Sequence, residues 1–197
     1  MPISNYSELQ TSIANWVNRD DLTSMIPDFI RLAESRIATE LKTQHLIVET
    51  TITVDAASET LPSNYKGAIG AYLDLDPKST LDYMTPDEIT RRVMSNSTGK
   101  PLAYTIKGQS IYFVPTPDIS YSCILSHYST PDLATDTTNS LLTNYPDVYL
   151  FASIVEALDY IEQDSSKYET KYLKALAAAD GEADYHGALS IQLSDAP

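Results

Sequence analysis

The clearest periodic pattern in the sequence is YPDVYLFASIVEALDYIEQDSSKYETKYLKALAAADGEAD, residues 145–184. Tyr145-Pro146-Asp147 predicts the start of a helix, because proline is tolerated in a first helical turn and an acidic residue favours the positive end of the helix dipole. A stripe of apolar residues at steps of three and four follows: Val148, Phe151, Ile154, Val155, Leu158 and Ile161. Such spacing is typical of one buried helix face.

A second helix is predicted directly after the polar residues 162–165. Ser166 and Glu169 have the spacing of a capping box, which marks a helix start. Its apolar face is formed by Tyr168, Tyr172, Ala175, Leu176 and Ala179. Because the connecting turn is short, we expect the two helices to lie antiparallel with both apolar faces against a common core. Neither helix carries a catalytic motif.

The N-terminal region predicts another pair of helices. Asn5 is a plausible cap for the first helix, with Glu8 reaching back toward it. The apolar residues of this helix are Leu9, Ile13, Trp16 and Val17. A second helix is predicted from about Thr23 to Leu41, with inward residues Ile26, Phe29, Ile30, Ala33, Ile37 and Leu41. The sequence therefore predicts a helical hairpin at each end of the chain.

The middle of the chain has the alternating pattern of β-strands. β-branched residues alternate along His45–Val54, which predicts a strand. Further strands are predicted at Ala68–Leu75, Leu81–Met84 and Ile119–Tyr128, with a short helix from Thr85. Two β-rich runs on either side of Gly108 predict a hairpin, and Ser129–Asn144 is expected to be a loop.

Together these patterns predict an α+β fold, with helical hairpins at both ends packed as a bundle and an antiparallel β-rich insertion between them. One domain is expected over residues 1–197. It consists of a helical body at 4–42 and 144–185, a β-rich insertion at 45–128, and a C-terminal arm at 186–197. The apolar residues of the arm alternate, so it is either a frayed terminus or a segment that orders against a partner.

Composition narrows the possible functions. The chain has 13 Lys and Arg against 27 Asp and Glu, which gives a formal charge of −14. This negative charge argues against nucleic-acid binding and against binding to an anionic membrane. No secretory leader or membrane-spanning stretch is evident, so we expect cytosol-like conditions. Fourteen tyrosines against three phenylalanines suit either subunit contacts or the rim of a strand-rich core.

Motifs for catalysis or cofactor binding are not found. His45, His127 and His186 lie far apart, and no phosphate-binding loop or nucleophile elbow occurs. The single cysteine, Cys123, excludes an internal disulfide and is expected to be a buried small hydrophobe. We therefore assign no catalytic residue, metal ligand or cofactor. Two acidic clusters, Asp74 with Asp76 and Asp132 with Asp136 and Asn139, are interpreted as turns.

Several short motifs occur in a characteristic order. They are Tyr6-Ser7-Glu8-Leu9, Trp16-Val17-Asn18-Arg19-Asp20-Asp21-Leu22, Ile26-Pro27-Asp28-Phe29-Ile30-Arg31-Leu32-Ala33-Glu34 with Arg36, Leu61-Pro62 with Tyr65, Pro101 with Tyr104 and Ile106, Pro115-Thr116-Pro117, and Tyr145-Pro146-Asp147 with Tyr149-Leu150-Phe151. In their order and spacing, the sequence resembles the head-to-tail adaptor (connector) family of short-tailed and related tailed bacteriophages.

This resemblance implies a structural virion protein, made in the host cytoplasm and located at the head–tail junction. It implies a twelve-fold ring below the portal ring that extends the DNA channel, lets DNA pass without specific binding, and docks the tail or nozzle protein. By the same resemblance the C-terminal arm runs along the portal, which makes Leu189, Ile191 and Leu193 the candidates for portal contact. Candidates for contact with a neighbouring subunit or the tail are Tyr104, Ile106 and Tyr112, for which ordinary β-core packing is the alternative.

Two other functions stay open at this stage. The first is a virion-associated cell-wall glycan hydrolase, which would need a carboxylic acid of raised pKa in a cleft, with Glu34 or Glu40 as candidates. The second is a plain intracellular binding module. Because no local pattern indicates a tuned catalytic carboxylate, we predict a structural adaptor rather than an enzyme.

Overall fold

The structure is a computed structural model that describes residues 3–41, 44–92 and 98–192, with the backbone alone for residue 92 and residues 182–192. The chain divides into two compact units. We call Met1–Leu46 together with Thr130–Pro197 the helical unit, and Ile47–Ser129 the β unit.

The secondary structure is mixed. The α-helices are α1 (Tyr6–Val17), α2 (Ile26–Glu40), α3 (Pro86–Arg92), α4 (Leu133–Asp136), α5 (Ser140–Asn144), α6 (Pro146–Tyr160) and α7 (Ser166–Gln192), with short 3-10 helices at Asp20–Met25 and Gln44–Leu46. The strands are β1 (Ile47–Val54), β2 (Ser58–Thr60), β3 (Tyr65–Leu73), β4 (Ser79–Tyr83), β5 (Ala103–Lys107), β6 (Ser110–Val114) and β7 (Tyr121–Ser129).

Helix α6 is the common packing partner in the helical unit, since α1, α2, α5 and α7 all contact it. Its buried residues lie on most sides of the helix and include Val148, Tyr149, Leu150, Ala152, Ser153, Ile154, Val155 and Ala157. The single apolar stripe that the sequence predicts for this helix is therefore only part of the surface that α6 buries. A helix that is apolar on most sides requires neighbours on most sides.

Local signals at the helix starts are largely as expected. Asn5 caps α1, because its Oδ1 accepts a hydrogen bond from the backbone N–H of Glu8 at 3.0 Å. The Glu8 carboxylate accepts from the Ser4 backbone N–H at 2.8 Å instead of reaching Asn5. Pro146 occupies the first turn of α6 as predicted.

The seven strands that the structure describes in the β unit belong to one sheet, in the order β1-β7-β3-β4-β5-β6-β2. Neighbouring strands are antiparallel except β4 and β5, which are parallel. Strand β7 pairs with the whole of β1, from Ile47 opposite Tyr128 to Val54 opposite Tyr121. The two edge strands, β1 and β2, are consecutive in the chain and contact each other. The sheet therefore curls into a nearly closed barrel.

A hydrophobic core fills this sheet. Its buried members are Ile52, Val54, Leu61, Ala71, Leu73, Leu81, Tyr104, Ile111, Phe113, Cys123 and Leu125. Cys123 is fully buried, which confirms its prediction as a small core residue, and burial raises the pKa of its thiol to about 11. The thiol is thus protonated and unreactive near neutral pH.

The predicted arrangement of helical hairpins at both ends, packed as a bundle, is wrong. The fold is α+β, but a seven-stranded, nearly closed sheet dominates the core and the helices are distributed along the chain, with α3 inside the β unit. Helices α1 and α2 do not form an isolated hairpin, because both pack on α6. The physical reason is that α6 has more apolar surface than one stripe, while the alternating residues of the middle region build a core of their own.

Smaller differences concern the connections. The expected loop at 129–144 contains α4 and α5, whose first turns are capped by Asp132 and Asn139. The short strand β2 has no equivalent in the sequence prediction. Helix α7 runs to Gln192, into the segment predicted as a C-terminal arm.

Leu125 offers a test of the barrel core. It is fully buried on β7, between β1 and β3. Replacing it with alanine should lower the free energy of unfolding by about 2–5 kcal/mol, because a large buried side chain leaves a cavity that the sheet cannot close. Urea denaturation followed by circular dichroism measures the change. Ser122→Ala, at an exposed position of the same strand, is the matched control and should stay within about 0.5 kcal/mol of the parent chain.

Candidate functional site

The residues proposed for contact with a neighbour or the tail lie on both faces of the β5–β6 hairpin. Tyr104 is only 2% exposed and belongs to the barrel core. Ile106 is half-buried against the same core. Tyr112 is also half-buried, and the Lys107 ammonium lies 5.4 Å from the centroid of its ring. Tyr104 is therefore a core residue in a single copy, while Ile106 and Tyr112 retain partial access to solvent.

An open groove lies beside Tyr104. It has a volume of about 450 Å³ and is lined by Tyr65, Ala68, Ile69, Tyr83, Tyr104 and Ile106. Tyr83 is 56% exposed and covers Tyr104 edge to face, with ring centroids 5.5 Å apart. Ile69 is also exposed, so an accessible aliphatic side chain and an accessible aromatic ring lie together at this groove. Tyr83 and Ile69 were not singled out by the sequence analysis.

Incomplete strand pairing produces this groove. Strand β4 pairs with β3 only along Ala71–Leu73, and with β5 only at Ala103 and Tyr104. In the part of the chain that the structure describes, the sheet is thus open between the first half of β3 and the second half of β5. The Tyr65 hydroxyl accepts a hydrogen bond from the Ala68 backbone N–H at 2.8 Å, so a side chain satisfies a backbone donor of β3 next to this opening.

A second, smaller groove lies beside Tyr112. It has a volume of about 300 Å³, and helix α3 contributes Ile89 and Thr90 to its wall. Lys107, Tyr112 and Thr116 line the sheet side. The hairpin therefore has an accessible recess on each side, and the two tyrosines proposed from the sequence lie in different recesses.

The proposed portal contacts lie at the end of the described chain. Leu189 and Ile191 are within helix α7. Leu193 lies outside the described residues. The role of these three residues therefore stays a prediction.

Glu34, the first candidate for a catalytic acid, is a buried residue of α2. Its side chain is 6% exposed, and its Oε1 accepts a hydrogen bond from the Leu133 backbone N–H at 2.7 Å. Desolvation raises the pKa of this carboxyl to about 7, and the charges of Asp132 and Asp136 add to the shift, while the hydrogen bond and Arg31 oppose it. A raised pKa suits a general acid, but this carboxyl faces the backbone and holds the start of α4 against α2.

Glu40, the second candidate, belongs to an ion-pair network between α2 and α7. One of its carboxylate oxygens accepts from Arg36 Nε at 3.0 Å, and the other accepts from the Tyr172 hydroxyl at 2.6 Å. Arg36 also donates to both carboxylate oxygens of Glu169, from Nη1 at 3.0 Å and from Nη2. Its guanidinium lies 4.5 Å from the centroid of the Tyr172 ring. Burial and the hydrogen bond to Glu40 raise the pKa of Tyr172.

This network corrects the expected role of Glu169. The sequence spacing predicts that Glu169 caps α7, whereas its carboxylate pairs with Arg36, which is 133 positions away in the sequence. The cap is supplied by Asp164, whose Oδ1 accepts from the Ser166 backbone N–H at 3.0 Å. Since both carboxylates of the network are engaged by Arg36, Glu40 is a structural residue of the helical unit.

His127 has a structural role in the β unit, joining two strands. His127 is buried, and its Nδ1 lies 3.0 Å from the Tyr128 carbonyl oxygen, which can only accept, so Nδ1 carries the hydrogen. Its Nε2 then accepts from the Thr50 hydroxyl at 3.1 Å and joins β7 to β1. Among the described residues, no group of three or more His, Cys, Asp or Glu side chains could hold a metal ion.

Comparison with known families agrees with the resemblance noted in the sequence. Residues 4–192 match the family model described as SU10 adaptor protein. The chain belongs to the SU10 adaptor protein family. No curated protein matches the chain.

Membership in the SU10 adaptor family confirms the head-to-tail adaptor resemblance at the level of the family. It identifies the chain as a structural bacteriophage protein of the adaptor class. Within the described residues, no helix is both long and apolar enough to span a membrane. The SU10 adaptor family implies interaction with portal and tail components of a phage.

The pKa of Glu34 gives a pH-dependent prediction. Because the folded-state pKa is raised from 4.5 to about 7, the folded chain binds this proton more tightly than the unfolded chain does. The stabilisation associated with Glu34 is therefore present below pH 4.5 and is lost as the pH rises through about 7. Glu34→Gln keeps an oxygen acceptor for Leu133 without the charge. It should be more stable than the parent chain at pH 8, by roughly 1–3 kcal/mol, and the difference should shrink toward pH 4.5.

Denaturant unfolding of both chains at pH 4.5, 6, 7 and 8 measures this difference. A constant offset between the two chains over the whole range would contradict a raised pKa at Glu34.

Proposed function

We propose that this chain forms a ring below the portal ring of its phage, extends the DNA channel and docks the tail or nozzle protein. The family match over residues 4–192 is the observation that carries the proposal. A ring of twelve copies follows from the resemblance to head-to-tail adaptors. In this proposal the protein acts by binding and geometry, because a repeated contact between different surfaces of neighbouring copies closes a ring.

Net charge supports the proposed channel. A chain with a formal charge of −14 repels the phosphate backbone, so DNA would pass through the ring without specific binding. The acidic composition would then have a mechanical role, because it keeps DNA mobile during ejection. The head–tail junction of the virion is the proposed location.

Contacts of the β unit with a neighbour or the tail are proposed at its two recesses. Ile106 and Tyr112 are accessible there in part, whereas Tyr104 contributes only to the floor of the larger groove. Tyr83, which covers Tyr104, has the exposure expected of a contact residue. Tyrosine suits such positions because it combines an apolar ring with a polar hydroxyl.

Portal docking by the C-terminal segment gives the direct test of the proposal. The purified chain is mixed with the portal ring of the same phage, and the mass of the complex is measured by native mass spectrometry. We expect about one adaptor per portal subunit at micromolar concentration. Truncation after Tyr185 should abolish the complex, because it removes Leu189, Ile191 and Leu193.

A second variant keeps the chain length, so that loss of helix α7 is not confused with loss of contact. Simultaneous replacement of Leu189, Ile191 and Leu193 by serine should weaken portal binding as the truncation does. Ile119→Ser, at an exposed position of the β unit, is the control and should bind like the parent chain. Absence of any complex between the parent chain and the portal would refute the proposed function. Unchanged binding by the triple variant would refute only the role of these three residues.

A further inference from the structure

An exposed tryptophan lies where α1, α6 and α7 meet. Trp16 is 46% exposed, although its spacing in the sequence places it on the apolar side of α1. Its ring contacts Phe151 and Tyr168 edge to face, with centroids 5.8 Å and 6.0 Å away. The ring is thus held in place by two aromatic neighbours while almost half of its surface stays accessible. A rigid, accessible aromatic ring is typical of the residues that dominate binding energy at protein interfaces.

One lysine of α7 lies over this tryptophan, and two more lysines share its side of the helix. The Lys171 ammonium lies 4.9 Å from the ring centroids of both Trp16 and Phe151. Lys167, Lys171 and Lys174 are spaced four and three residues apart on α7, so they share one side of the helix. We call Trp16 with these three lysines the lysine patch. It gathers three of the 13 basic residues of a strongly acidic chain.

A surface of opposite charge lies at the end of α6. Tyr160 is 58% exposed, and its ring packs on Phe29 of α2 with centroids 5.5 Å apart. The carboxylates next to it in the sequence are exposed as well. We call these four residues the acidic patch: Asp159, Tyr160, Glu162 and Asp164. Each patch therefore combines one accessible aromatic ring with three charges of a single sign.

Different helices support the two patches. The ring of Trp16 is held by residues of α6 and α7, whereas the ring of Tyr160 is held by α2. A contact between the lysine patch of one copy and the acidic patch of another is consequently heterologous, since it joins two different surfaces. Heterologous contacts repeat from copy to copy and generate rings when the rotation closes.

Charge favours a second copy as the occupant of the lysine patch. Two chains that each carry a charge of −14 repel one another, so their association requires a local region where opposite charges meet. The acidic patch supplies three carboxylates for three ammonium groups, together with an aromatic ring opposite the tryptophan. Three lysines on an acidic chain are a weak site for DNA, which is bound by larger clusters of basic residues.

We propose that the lysine patch of each copy binds the acidic patch of the next copy and that this contact closes the adaptor ring. The inference rests on the proposed function, because it names the partner and the surfaces of the ring. Since the contact is largely between exposed charges, it should weaken as the ionic strength rises.

Reciprocal charge reversal tests the contact. Lys167→Glu with Lys174→Glu reverses the lysine patch, and Asp159→Lys with Glu162→Lys reverses the acidic patch. Lys171 is left unchanged because it lies over the aromatic rings, and Asp164 because it caps α7. The control is Lys78→Glu with Lys100→Glu, which makes the same change in net charge as the reversed lysine patch, at exposed positions of the β unit outside both recesses.

Native mass spectrometry with the portal ring measures how many copies bind and how tightly. Either reversed pair should give incomplete rings and bind about tenfold more weakly or worse, while the control assembles like the parent chain. The variant with all four reversals should recover, because the signs are again opposite. If both reversed pairs assemble normally, the proposed contact is wrong while the adaptor function stands.

Carbodiimide cross-linking of the concentrated chain provides a measurement without the portal. In a mixture of ¹⁵N-labelled and unlabelled chains, cross-links from Lys167 or Lys174 to Asp159 or Glu162 should join labelled to unlabelled peptides. If these links occur only within one chain or not at all, the inference is overturned, even when portal binding has also failed. Loss of DNA binding by the Lys167→Glu and Lys174→Glu variant, with unchanged assembly, would also overturn it in favour of a nucleic-acid surface.

Discussion

Burial of helix α6 is the constraint on which the helical unit depends. Most of its sides are apolar. If any of them were exposed to water, the helical unit would lose the free energy that folding gains from burying that surface. The helices that cover it come from both ends of the chain, α1 and α2 from the beginning and α7 from the end. The helical unit is therefore a product of long-range contacts, although each of its helices is encoded locally.

The sequence indicated most helices and strands correctly but not their partners. The α6 start at Pro146, the α1 cap at Asn5 and the hairpin at Gly108 depend on residues within a few positions of each other, so local rules apply to them. The predicted bundle of two helical hairpins, one from each end of the chain, was wrong. The prediction gave α6 a single apolar stripe, whereas most of its sides are apolar. The bond from Arg36 to Glu169 spans 133 positions, and no local spacing predicts it.

The interaction surfaces were predictable only in part. The hairpin was predicted from the β-rich runs around Gly108, and Ile106 and Tyr112 were named on it from the resemblance to head-to-tail adaptors; each of the two borders a recess. The groove itself depends on how far β4 pairs with β3 and β5, which composition does not reveal. Trp16 shows the same limit: helical spacing placed it among the apolar residues of α1, yet it is 46% exposed beside Phe151 and Tyr168. Whether an apolar side chain is core or interface depends on what its neighbours leave exposed.

The interruption of the helical unit by residues 47–129 has a consequence for synthesis on the ribosome. The β unit has all of its strands once Ser129 has emerged, and strand β7, the partner of β1 and β3, comes last. Helices α1 and α2 are made first but lack α6 until residue 160 is available. The apolar faces of α1 and α2 thus stay without this partner while more than half of the chain is being synthesised. During that interval the nascent chain offers chaperones a binding surface that the finished protein no longer has.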